Sequence, residues 1–129
     1  MALLNKQNLP FIGSSYNFVG AHHGDTGVSM FLVEAEPGRG APLHQHPYDE
    51  IALIQEGHSR LVLGDEIQDA GPGDIVVIKA GTPHGFINAG DTVLKQIDIH
   101  VNPVFEQENL EPTASSLKAN LPNPKPQPK

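Results

Sequence analysis

The chain contains no cysteine. Disulfides and thiolate metal sites are therefore excluded, and cytoplasm is the expected compartment. Long apolar runs are also missing. Nothing approaches the roughly 20 residues that a membrane-spanning helix needs, and the opening Met-Ala-Leu-Leu-Asn-Lys-Gln reads as neither signal peptide nor anchor. Basic residues are scarce: eight Lys and Arg stand against fifteen Asp and Glu, for a net charge of −7. Residues 1–110 hold five bases and fourteen acids (5 − 14 = −9), and residues 111–129 hold three and one (3 − 1 = +2). A body this acidic argues against nucleic acid as a partner.

What the chain has in quantity is turn formers: thirteen glycines and twelve prolines among 129 residues. That suits one all-β domain of short strands, a sandwich or barrel. Residues 1–110 are expected to form it. Residues 111–129, with almost no large apolar groups, read as a Pro-rich flexible tail or as an arm that packs on a neighbouring subunit. Strands are expected near residues 15–19, 28–35, 50–55, 59–63, 66–69, 74–78, from 84 onward, and 92–101. On the last of these, alternation places Val93, Lys95, Ile97, Ile99 and Val101 toward the core or a partner. Leu94, Gln96, Asp98 and His100 fall on the other face, with solvent the favoured environment for Asp98 and His100 and substrate contact by Gln96 or His100 the competing one. His22 and His23 are adjacent, so they face opposite ways on a strand and read as loop residues. A helical turn is expected over residues 105–111.

Chemistry concentrates between Gly38 and Asn88. Pro42 and Pro47 bracket His44 and His46, so no helix runs through them. In an extended strand, residues two apart share a face, and these two imidazoles can grip one ion. After a turn at Pro47-Tyr48-Asp49, an antiparallel return starting at Glu50 is expected to bring its carboxylate beside them. Ala52 and Ile54, on the Glu50 face, and Phe86 are expected to wall a pocket. His84 follows a second turn and adds a third imidazole. Imidazole and carboxylate donors together suit a divalent transition metal: iron, manganese, nickel or zinc.

These stretches resemble the cupin family. Its first motif, G-x5-H-x-H-x3,4-E-x6-G, is filled by Gly38, His44, His46, Glu50 and Gly57, spanning 38–57. Its second, G-x5-P-x-G-x2-H-x3-N, is filled across 73–88 by Gly73, Gly81, His84 and Asn88, with Lys79 in place of the proline. The resemblance implies a double-stranded β-helix, a jelly-roll-like barrel of two antiparallel sheets, with a metal held by His44, His46, Glu50 and His84. It implies a metal-dependent oxidoreductase of dioxygenase-like type acting on a small organic molecule. Non-redox chemistry on the same site (isomerase, lyase or decarboxylase) and a non-catalytic ligand-binding module are the alternatives. It also implies a homodimer. Tyr48 and Asp49 read as turn residues, and Lys79 as a solvated lysine or a group that attracts a carboxylate substrate.

Overall fold

A computed structural model describes residues 2–110 of the 129. The expectation of a Pro-rich flexible tail concerns residues 111–129, outside the described residues. Eleven strands form two antiparallel sheets: β1 Phe11–Ile12, β2 Ser15–Phe18, β3 Ser29–Ala35, β4 Gly40–Gln45, β5 Glu50–Glu56, β6 Ser59–Leu63, β7 Glu66–Ala70, β8 Ile75–Ile78, β9 His84–Asn88, β10 Leu94–His100 and β11 Glu108–Asn109. One sheet has the order β1-β2-β3-β10-β5-β8, and the other β11-β4-β9-β6-β7. This is the double-stranded β-helix. Short 3₁₀ turns at Lys6–Asn8 and Gly20–His22 supply the helix, and no helix among the described residues is long and apolar enough to cross a membrane.

The interior divides along the strand direction. Val33, Ala35, Ile54, Leu61, Ala70, Phe86 and Leu94 form the buried apolar core. Ala35 pairs with Leu94 at one end of the β3–β10 ladder, and Ser29 pairs with His100 at the other. Apolar residues thus gather toward one end and histidines toward the opposite one. Asn88, the last fixed position of the second motif, serves the apolar end. Its side-chain amide donates to the carbonyls of Ala35 and Thr92 and accepts from the Gly90 amide, holding the β9–β10 turn. Ile54 packs in this core and does not wall the cavity, whereas Ala52 and Phe86 do.

Three expectations are corrected. First, β10 is turned over. Leu94, Gln96, Asp98 and His100 are its buried face, while Lys95, Ile97 and Ile99 are half-buried on the outside. Asp98 and His100 are 5% and 2% exposed, not solvated. Second, β4 and β5 are not a hairpin. The turn at Pro47–Asp49 carries the chain from one sheet to the other, and Glu50 reaches the imidazoles across the interior. Third, no helical turn forms over residues 105–110; β11 instead adds an edge strand to β4, Glu108 opposite Gln45 and Asn109 opposite His44.

Candidate metal centre

Strand β4 contains an irregularity that aims the first histidine. Its register against β9 runs Ala41 opposite Phe86, then His44 opposite His84. Three residues on β4 thus span two on β9, which defines a β-bulge. Pro42 sits within it, where a residue with no N–H is tolerated. The extra residue restores phase, so Ala41 and His44 both line the interior cavity. His46 lies just past the strand end on the His44 face, and His84 begins β9. Glu50 begins β5 in the facing sheet.

His44, His46, Glu50 and His84 are all buried, and one ligand atom from each lies within 4.8 Å of the others. This is a cluster that could hold a metal ion. Its hydrogen bonds show why. A carbonyl oxygen can only accept, so each imidazole must donate from Nδ1: His44 to Pro42, His46 to Glu106 at 2.7 Å, and His84 to Thr82 at 2.8 Å. That leaves three bare Nε2 lone pairs turned inward. His46 Nε2 and His84 Nε2 each stand 3.2 Å from Glu50 Oε1, and His46 Nε2 has no hydrogen-bond partner. Lone pairs and a carboxylate facing one another need a cation or proton between them. The donor set therefore fits a divalent metal, and cysteine is not required.

The electrostatics agree. Burial, followed by the neighbouring His84, lowers His44 to about 4, so its ring is neutral near pH 7. Burial alone would raise the Glu50 carboxyl, but the close approach of His46 and His84, followed by the neighbouring His100, outweighs it and holds the group well below the usual carboxylate range. A ligand carboxylate and neutral imidazoles are the protonation states that metal binding needs.

Tyr48, expected as a turn residue, is a buried second layer. Its ring stacks on His46 with centroids 4.9 Å apart. Its hydroxyl accepts from the Glu106 amide and shares a hydrogen bond of 2.8 Å with His100 Nδ1. Burial raises this phenol to about 12 and lowers His100 to about 4. His100 Nε2 points toward Glu50 Oε1 at 3.7 Å. Sequence reasoning undervalued both groups; the period-two pattern linking His100 to buried Leu94 was the available signal. Asp49 does make the turn, accepting from the Ala80 amide and pairing with Lys79. The Lys79 side chain is 72% exposed and outside the cavity. His22 and His23 lie in a short turn away from the site.

Beside the cluster is a cavity of about 320 Å³, walled largely by apolar groups such as Phe31, Val33, Leu61 and Phe86. A volume and lining of this kind suit a small organic ligand.

A family model described as Cupin domain matches residues 31–100. The chain is 32% identical over 80 residues to the HTH-type transcriptional activator RhaS of Mannheimia succiniciproducens, covering 62% of this chain and 30% of the activator. The chain therefore spans less than a third of that relative's length. Among solved structures, an uncharacterized conserved protein with a double-stranded beta-helix domain from Klebsiella pneumoniae superposes with a TM-score of 0.69 at 18% identity, covering 87% of this chain and 99% of that one. Oxalate decarboxylase of Bacillus subtilis, whose Mn(II) centers have been characterised, superposes with a TM-score of 0.70 at 22% identity, covering 88% of this chain and 31% of that one.

Proposed function

The chain belongs to the cupin domain family, and from that premise we propose that it is a metal-dependent enzyme of dioxygenase-like type acting on a small organic molecule. His44, His46, Glu50 and His84 would hold one divalent ion of iron, manganese, nickel or zinc. The observation that carries this is the set of three Nε2 lone pairs and one carboxylate that converge beside a ligand-sized cavity, whose wall includes His44, Glu50 and His84. When bound, such an ion supplies Lewis acidity and, if redox-active, electron-transfer capacity. The chain's own residues do the rest. Backbone carbonyls fix the imidazole orientations, Tyr48 packs on His46 and holds His100 beside Glu50, and the apolar walls exclude water from the ligand.

Elemental analysis of the purified protein tests this directly, with His84→Ala beside it. About one equivalent of metal in the wild type, lost in the variant together with turnover, is the expected result. Turnover that persists without metal would overturn it. Oxygen dependence separates a dioxygenase from the non-redox alternatives, since a decarboxylase such as the Bacillus subtilis relative lies within the same fold. A ligand-binding module is the second reading, favoured by the match to part of a transcriptional activator. A metal-loaded protein inert toward acids, phenols and sugars would support that reading instead.

The outer face of the six-stranded sheet supports a homodimer. Ladder pairing aligns Val77, Ile51, Ile99, Met30 and Phe18 in one row and Ile75, Leu53, Ile97, Leu32, Tyr16 and Phe11 in a second. Ile75 and Val77 are 66% and 63% exposed. Two apolar rows continuous across a sheet mark an association surface, and a two-fold axis would set this face on its own copy. The cytoplasm is the compartment that fits a cysteine-free chain of this kind.

A further inference from the structure

The three imidazole tethers differ in reach. His44 and His84 donate to carbonyls two residues back, those of Pro42 and Thr82. His46 donates to Glu106, 60 residues on, at 2.7 Å. Glu106 belongs to the segment 104–110, which follows β10 and includes β11. Residues 104–109 are exposed, and the segment is thinly held. The Glu106 amide donates to the Tyr48 hydroxyl at 3.3 Å, and the Leu110 amide to the Leu43 carbonyl at 2.7 Å. The ladder of β11 on β4 is two residues long, and the Asn102 side-chain amide donates to the Val104 carbonyl at 2.6 Å.

Space lies on both sides of this segment. Phe105 and Gln107 line the cavity beside the cluster. Glu106, Gln107 and Glu108 border a second space of about 330 Å³, shared with His46 and Pro47. A segment flanked by two voids lacks the close packing that fixes a core element, and exposed segments with few buried contacts open first. Phe105 is 41% exposed although it lines the cavity, and so is Ile12 at 61%. Both therefore stand where the cavity meets solvent. The Phe105 ring rests on Phe31, centroids 4.8 Å apart, and lies 5.9 Å from that of His46.

His46 joins this segment to the ion site. A metal on Nε2 requires the ring proton on Nδ1 and keeps that donor on the Glu106 carbonyl. Without an ion, the neutral ring has a competing acceptor in Glu50 Oε1, 3.2 Å from Nε2. A proton moved to Nε2 leaves the Nδ1 lone pair facing the Glu106 oxygen, two acceptors opposed. An ion therefore removes the tautomer that releases the segment, with no change in ring charge. On the metal-holding reading above, we infer that residues 104–110 are a gate at the mouth of the cavity, with Phe105 as its leaf, and that an ion at the histidine cluster holds the gate closed through His46 and the Glu106 carbonyl. An ion that leaves by the open state escapes in proportion to how often the segment opens.

Hydrogen exchange read by mass spectrometry tests this on the full chain, chelator-treated and zinc-loaded, with zinc content determined on the same samples. A peptide covering residues 101–110 should exchange at least about fivefold more slowly with zinc, the yield of one good hydrogen bond. A peptide covering β7, the opposite edge of the sheet that β11 joins, should change by less than about twofold. Asn102→Ala removes an anchor of the segment and touches none of the four donors. It should speed zinc release to a chelator by at least about threefold. Phe105→Ala should do the same and serves if the first variant does not fold. Equal exchange of 101–110 with and without zinc, a slowing of equal size in β7, or unchanged zinc release from the folded variants would overturn the inference and leave the metal site standing. Failure of the wild type to take up zinc would overturn the metal reading itself, and this inference with it.

Discussion

Each imidazole of the cluster is tethered at Nδ1 by a carbonyl from its own neighbourhood or from residue 106. The chain has therefore fixed ring orientation before any ion arrives. The same burial makes the metal-free protein sensitive to acid. His44 and His100 titrate near 6.5 when unfolded but near 4 when folded. Between those values the unfolded chain binds the extra protons, so the stability these residues contribute is complete above about 6.5 and is lost as pH falls toward 4. Glu50, held low, adds to the loss below its ordinary 4.5. Asp98 opposes it: burial, then the Glu50 charge, raises its carboxyl, which favours the fold at low pH and loses that effect as pH rises. The two histidines and Glu50 together outnumber Asp98, so the chelator-treated protein should lose stability as pH falls from 6.5 to 4, readable in denaturant melts at the two pH values. Lys79 behaves differently. Exposed and paired with Asp49, it should tolerate Lys79→Ala with stability unchanged within about 0.5 kcal/mol and an unaltered Michaelis constant; a raised Michaelis constant would restore a steering role.

Among the strands, β4 sets the tolerances. Gly40 faces β9 so closely that an added Cβ would meet the Phe86 carbonyl oxygen at 2.0 Å. Backbone cannot yield there without pushing β4 off β9, and His44 stands opposite His84 on that ladder. Gly40→Ala should cost about 3 kcal/mol in chemical denaturation and weaken metal uptake in a competition titration. Much of this architecture was legible beforehand. Alternation and turn residues located most strands within a residue or two, because a strand half-buried on one face writes its burial into period two. The H-x-H spacing gave a shared face for His44 and His46, and Gly57 marked a backbone turn at φ +90°. The orientation of β10 was legible only as a shared face for Leu94, Gln96, Asp98 and His100, not as which face is buried. Its inner face carries Gln96, Asp98 and His100 because it walls a polar cavity, so counting apolar residues pointed outward. The sheet switch after Pro47 was hidden too, since a hairpin and a crossing need the same short spacer. The bulge at Pro42 leaves no mark in composition.

For the assembled molecule, the two apolar rows on the six-stranded sheet give a solution test. Ile75→Lys combined with Val77→Lys should convert a dimer to a monomer in sedimentation equilibrium while metal content is retained. A wild type that is already monomeric at tens of micromolar would remove the homodimer. Cavity formation gives a second test, because Leu94 is fully buried and Leu94→Ala should cost roughly 2–4 kcal/mol. That residue is about 20 Å along β10 from His100, yet its effect should not stop at the core. His44 and His84 belong to one sheet and Glu50 to the other, so the gap among the donors is also the gap between the layers. Whatever lets the layers breathe changes how well the donors converge. Affinity for the ion then works as a gauge of interlayer spacing: hydrostatic pressure, heat or a loosened core far away should each register first as faster metal exchange, before any loss of strand structure is visible.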